Sequence, residues 1–255
     1  MKTIGKGKTI LLGKEYASYN KSQGRSNRQP TTAASKATNE IHNEVAKLMT
    51  DNGIKPVVPV MVNGAPLGHA EVVVMQKSDC RFLGILKENV RGIRRTTEDG
   101  VEYFEPLTAG QVQPAEQISA KLPQASHVYN VRTGKYLGKL DTIKDSLEPA
   151  EAKLYALLPY QVKGMKLSCE DKFQKGKAMR MTAALQVDGN AQQHVFNVHV
   201  YDPKGNDLYY LARNLLAPRG QASFVIPVEL NPAGPFKVVV TDVATGIGQT
   251  YDFGK

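Results

Sequence analysis

Three observations predict a mainly β chain. Short runs alternating apolar and polar residues recur along most of the 255 residues, turn signals fall between them, and one stretch alone carries helical spacing. The expected architecture is two β-sandwich domains, the last immunoglobulin-like, preceded by one amphipathic helix and a domain-remnant strand.

Thr3 to Gly13 reads as a Gly-marked turn feeding one short apolar strand, with no partner strand nearby. A lone strand of that kind is not stable by itself. Gly7-Lys8-Thr9 has the ending of a phosphate loop. That motif needs Gly five positions before its last Gly, where Lys2 stands, and it separates a strand from a helix instead of opening a strand. Pro30-Thr31-Thr32 then starts a helix running to about Asn52. Ile41, Val45, Leu48 and Met49 fall on one face, His42 sits on the surface, and Gly53 is the stop.

From Lys55 the spacing changes to short strands. Val57 to Val62, an Asn63-Gly64 turn, Glu71 to Met75 and Arg81 to Leu86 come first. A polar, irregular link covers Arg91 to Gly100, and Glu102 to Phe104 resumes the sheet. From His127 onward, Val128 to Val131, the Arg132-Thr133-Gly134 turn, Lys135 to Leu140 and Lys153 to Pro159 complete a sandwich over 55–162. Arg81-Phe82-Leu83-Gly84 and Lys135-Tyr136-Leu137-Gly138 echo one another. Their aromatics read as packing residues and their glycines as bends.

Lys163-Gly164-Met165 ends that domain. Seven candidate strands follow within 163–255: Leu167 to Cys169, Ala178 to Val187, His194 to Tyr201, Leu208 to Leu211, Ala222 to Val228, Phe236 to Val243 and Gln249 to Phe253. Asp202-Pro203-Lys204-Gly205-Asn206, Asn231 to Pro235 and Ala244-Thr245-Gly246 supply the turns.

A net charge of +9 raises the question of nucleic acid, but the lysines are scattered and no helix carries a basic stripe, so no nucleic-acid partner is expected. Cys80 and Cys169 lie far apart, without the spacing of a disulfide framework or a zinc site. No apolar run approaches the ~20 residues that span a bilayer, and Ile10-Leu11-Leu12 is too short for the core of a signal peptide.

Residues able to do chemistry do not assemble along the sequence. Glycosidic hydrolysis needs two carboxylates set across a cleft. Glu102 with Glu105, and Glu148 with Glu151, are instead near neighbours beside turns. His194 and His199, five apart on one strand, point to opposite faces and cannot share an ion. Asp202, Asn206 and Asp207 lack the spacing of a calcium loop and read as turn caps. There is no Gly-x-Ser-x-Gly elbow and no activated cysteine. The expected catalytic, metal and cofactor sets are therefore empty. Tyr136, Tyr209 and Tyr210 remain as flat faces for a sugar contact.

Val128-Tyr129-Asn130-Val131-Arg132-Thr133-Gly134-Lys135-Tyr136-Leu137-Gly138, followed some twenty residues later by Ala156-Leu157-Leu158-Pro159-Tyr160, resembles the β-rich region behind the catalytic barrel and trimerisation domain of bacterial β-galactosidase-type glycoside hydrolases. The Gly-Lys-Gly-Lys turn at 5–8 resembles the close of that flavodoxin-like trimerisation domain. Val198 to Gly205 and Gly234 to Asp242 resemble Ig-like repeats of bacterial surface and macroglobulin-type proteins. The resemblance implies a trimerisation-domain remnant over 1–29, a linking helix over 30–54, a β-sandwich over 55–162 and an Ig-like sandwich over 163–255. It also implies a fragment: a non-catalytic accessory region supporting a barrel that lies elsewhere in a parent or adjacent polypeptide. That parent is expected to be exported or in the cell envelope and to supply any oligomer contacts. A carbohydrate-binding module and a cell-surface adhesion or assembly module are the alternatives.

Overall fold

The computed structural model describes residues 2–4, 7–9, 43–68, 70–87, 93–105, 114–170, 176–227 and 235–254. Its strands are β1 (Lys2–Ile4), β2 (Gly7–Thr9), β3 (Val60–Val62), β4 (Ala65–Pro66), β5 (Ala70–Lys77), β6 (Cys80–Lys87), β7 (Ile93–Thr96), β8 (Glu102–Glu105) and β9 (Glu116–Asn130). They continue with β10 (Lys135–Leu147), β11 (Ala152–Leu158), β12 (Val162–Cys169), β13 (Ala178–Val187), β14 (His194–Tyr201), β15 (Arg213–Ala217), β16 (Gln221–Pro227), β17 (Phe236–Asp242) and β18 (Gly248–Phe253). One α-helix, α1 (43–51), appears among the described residues. The chain is mainly β, in antiparallel sheets that form sandwich layers.

At the start, β1 and β2 pair with Ile4 opposite Gly7. Gly7-Lys8-Thr9 thus lies in a paired strand, not at the opening of a lone one. The apolar strand expected over Ile10 to Leu12 and the first part of the expected helix lie outside the described residues, as do His42 and most of the Asn231 to Pro235 turn. Helix α1 carries a Lys47–Asp51 pair at 2.6 Å one turn apart. It ends where Gly53 N–H bonds Thr50 O and Ile54 N–H bonds Met49 O.

A seven-stranded sheet runs β4-β3-β9-β11-β6-β5, with β10 also on β9. The β3–β4 turn is Asn63-Gly64, both at positive φ (50° and 82°), the geometry that a two-residue hairpin requires. β3 begins at Val60, β4 adds a short strand and β10 runs on to Leu147, and two further departures are larger. Where a link was expected around Arg91 to Gly100, Ile93–Thr96 is a strand paired to β8, with Thr96 opposite Glu102. β9 opens at Glu116 instead of near His127, because Ile118, Ala120 and Leu122 already alternate into the core.

Two smaller sheets form the last sandwich, β12-β13-β16 and β15-β14-β17-β18. Their inner faces meet through Met179, Met181, Phe196, Val198, Phe224, Ile226, Val238 and Val240. Strands β14 and β17 bury every second residue, as a strand with one face on a core does. The fourth expected strand is a correction. Tyr209–Leu211 is a 3-10 turn, closed by Leu211 N–H on Leu208 O at 2.7 Å, and the strand is Arg213–Ala217. In a three-residue turn Leu208 and Leu211 come round to the same side, and both pack on the core.

The described residues divide into two compact units. One draws on Met1–Glu71, Leu86–Ala120 and Lys144–Glu151, the other on Val72–Ile85, Lys121–Ile143 and Ala152–Lys255. In the first, Lys87 is 4% exposed, and its ammonium donates to Glu116 Oε2 at 2.5 Å and to Gly68 O at 3.2 Å. A buried charge persists only when paired in this way. The second contains a further core, Cys80, Tyr129, Ala156, Leu158, Tyr160, Val162 and Ala244, which joins strands of the large sheet to the last sandwich. The Thr133-Gly134 turn also meets the Thr245-Gly246 turn there. A Cβ on Gly246 (φ 72°) would lie 2.5 Å from Gly134 Cα, so only glycine allows the two backbones this close.

Candidate functional site

Among the described residues the largest buried polar constellation sits in that second core. Tyr160 follows β11, His194 opens β14, Asp242 closes β17 and Thr245 lies in the following turn. Tyr160 and His194 are 6% and 4% exposed, and Asp242 and Thr245 are 0%. The Gln192 backbone N–H donates to Tyr160 Oη at 2.7 Å, and the Tyr160 hydroxyl meets His194 Nε2 at 2.9 Å. His194 Nδ1 meets Asp242 Oδ1 at 2.8 Å. Asp242 Oδ2 accepts from the Thr245 hydroxyl at 2.6 Å and from its backbone N–H at 3.1 Å.

Donor and acceptor capacity orders this chain. A carboxylate only accepts, so Nδ1 of His194 donates to Asp242, and in that tautomer Nε2 is free to accept the Tyr160 hydroxyl proton. Each group in the line is thus satisfied. The order acid, imidazole, hydroxyl is that of a nucleophilic triad, yet its chemistry is opposite. Burial pushes the Tyr160 hydroxyl well above its ordinary value, so it stays protonated. Cys80 Sγ lies 3.7 Å from the same hydroxyl, and burial raises its thiol too. A nucleophile needs the lowered value and an approach path. This arrangement instead ties β11, β14 and β17 together. Tyr129 adds a second tie: its hydroxyl accepts from Val162 N–H at 2.8 Å.

The tyrosines expected to contact sugar lie in two places. Tyr209 and Tyr210 are 80% and 59% exposed in the turn before β15, with rings edge to face at 5.8 Å. Tyr136 lies on β10 in the large sheet, its ring against Tyr129 at 4.9 Å and its hydroxyl 2.8 Å from His127 Nδ1. The structure joins the first two in one 3-10 turn and leaves Tyr136 apart on β10.

The other candidates have structural occupations. Glu105 pairs with Arg95 at 2.7 Å on the surface, and Glu151 accepts from the Glu148 backbone N–H at 2.9 Å. Asp202 accepts from the backbone N–H groups of Lys204 and Asn206 and from the Asn206 side chain, a turn cap with both oxygens engaged. His194 and His199 lie on opposite faces of β14, and His199 pairs with Asp207 at 2.8 Å. Sequence reading passed over the Tyr160–His194–Asp242 line. The one local signal was His194 in phase with the apolar positions Phe196, Val198 and Val200.

No protein-family model matches the chain, and no curated protein does. Similar solved structures include the β-glucuronidase of Parabacteroides merdae, at 14% identity and TM-score 0.25 over 78% of this chain and 21% of that one. Another is the FMN-binding β-glucuronidase of Facaelibacterium prausnitzii L2-6, at 9% identity and TM-score 0.26 over 77% of this chain and 38% of that one. The chain thus spans well under half the length of either. At these TM-scores the likeness is distant and carries no argument.

Proposed function

We propose that this chain is a non-catalytic accessory region of a β-galactosidase-type glycoside hydrolase, one that supports or positions a catalytic barrel. The observation that carries the reading is the fate of the Ala156 to Tyr160 segment, whose motif suggests the parent. Ala156, Leu157 and Leu158 are buried, and Tyr160 is spent on the line to His194 and Asp242. In this segment the one side chain that could do chemistry, Tyr160, bonds Gln192 and His194 instead.

Two measurements test this. The protein is isolated from its source, separated on a denaturing gel and sequenced by mass spectrometry. Peptides of this chain in one band with peptides of a barrel carrying paired glutamates are expected, whereas a band holding this chain alone, with no barrel copurifying, overturns the reading. Hydrolysis of chromogenic aryl glycosides by the purified chain, abolished by His194→Ala or Asp242→Asn, would overturn the non-catalytic part.

Carbohydrate binding is a second reading, favoured by the exposure of Tyr209 and Tyr210. Exposed rings can stack on a sugar face while neighbouring polar groups bond its hydroxyls. Retention of the chain on an insoluble polysaccharide, lost in Tyr209→Ala with Tyr210→Ala, is its expected result. No retention, or retention unchanged by the substitutions, rules it out.

A further inference from the structure

We infer that β5 is a dimerisation edge, which pairs antiparallel with β5 of a second copy of this chain about a two-fold axis at Val74. Among the described residues β5 is the last strand of its sheet, with β6 as its one neighbour. Edge strands are ordinarily protected by a proline, a bulge, a central charge or short length. β5 has none of these. It runs eight residues as Ala-Glu-Val-Val-Val-Met-Gln-Lys, with Val72, Val73 and Met75 at 37%, 41% and 53% exposed.

The register with β6 says which backbone groups face outward. Ser78-Asp79 is a two-residue turn, so Lys77 lies opposite Cys80 and the count continues back along both strands. Two contacts agree with it. Arg81 Nε donates to Gln76 Oε1 at 3.0 Å, and a Cβ built on Gly84 would lie 3.9 Å from Val73 Cβ. In this register Val73, Met75 and Lys77 point their backbone groups at β6, and Val72, Val74 and Gln76 point theirs at the open edge.

An antiparallel copy centred on Val74 uses these groups. Val74 pairs with its own counterpart, and Val72 pairs with Gln76 of the second copy on either side. The odd residues then become the close pairs of the ladder, in which side chains approach nearest. Val73 meets Met75 at the centre, and Glu71 meets Lys77 at both ends, all on one face. The strand is therefore complementary to itself in charge as well as shape. That selects a second copy, since a two-fold contact must match its own surface.

The test is the mass in solution of the full chain by size-exclusion chromatography with light scattering, between about 1 and 100 µM. Twice the chain mass of 27.9 kDa is expected. Glu71→Lys and Lys77→Glu each set like charges opposite one another at both ends and weaken the dimer by about tenfold or more. Together in one chain they restore opposite charges and the dimer. Both positions are exposed, so circular dichroism should show the fold unchanged. A monomeric wild type overturns the proposal. So does a dimer indifferent to the single reversals, or a double reversal that fails to restore it.

Discussion

Strand β14 carries two histidine–aspartate pairs of the same length, five residues apart, and they differ in almost everything else. His194–Asp242 and His199–Asp207 each close at 2.8 Å through Nδ1. The side chains of the first pair are 1% and 0% exposed and those of the second 33% and 37%. An odd separation on a strand sends one ring into the core and the other to solvent. Distance therefore says little about what either pair is worth. Burial and the number of groups left stranded when one partner goes decide it.

The largest effect is expected at Asp242. In Asp242→Ala, His194 Nδ1–H and both Thr245 donors lose their acceptor inside the core. Stranding buried partners costs about 4 kcal/mol, seen as a fall of roughly 10 °C in melting temperature. A loss as small as that of a surface pair would remove the contrast between the two faces. Tyr160→Phe comes next, because it keeps the ring but leaves the Gln192 N–H and His194 Nε2 unpaired. A loss of about 2 kcal/mol is expected, read from the urea midpoint at constant slope.

The fold was legible where one strand reports its own environment. β14 and β17 show strict alternation, and both were expected within a residue or two of their observed bounds. Lys121, Pro123 and Gln124 interrupt the apolar signal of β9, although Ile118, Ala120 and Leu122 hold its phase. Arg94 and Arg95 made β7 look like a link, whereas pairing with β8 makes it a strand. Tyr209 and Tyr210 between two leucines imitated a strand, a reading that the 3-10 turn replaces. The buried line was invisible for a different reason. Tyr160, His194 and Asp242 are 34 and 48 residues apart, and only the register of β14 on β17, with Phe196 opposite Asp242, brings the last two together.

Alkaline pH probes the same core with no substitution. Burial raises the hydroxyls of Tyr160 and Tyr129 above their ordinary 10.0 and the Cys80 thiol above its ordinary 9.0. The folded chain thus keeps protons that the unfolded chain releases. Stability is whole below about pH 9 and falls as pH rises past 9 and 10 through the raised folded values. A drop of about 1 kcal/mol between pH 8 and roughly 10.5 is expected, with a shallower slope in Tyr160→Phe. An unchanged slope in that variant would mean that Tyr160 is not among the groups responsible.

The smallest effect belongs to the outward pair, and it is the one that isolates burial as the cause. Asp207→Ala removes a partner from His199 at the same 2.8 Å as in the core, but water can replace it. Exposed pairs are worth up to about 0.5 kcal/mol once side-chain ordering and screening are counted. The variant should melt within about 2 °C of the parent, and added salt should narrow the gap further. A loss comparable to that of Asp242→Ala would mean that the Asp207 turn, which bridges Tyr201 ahead of the Tyr209–Leu211 turn, holds the edge of the sheet by more than its charge.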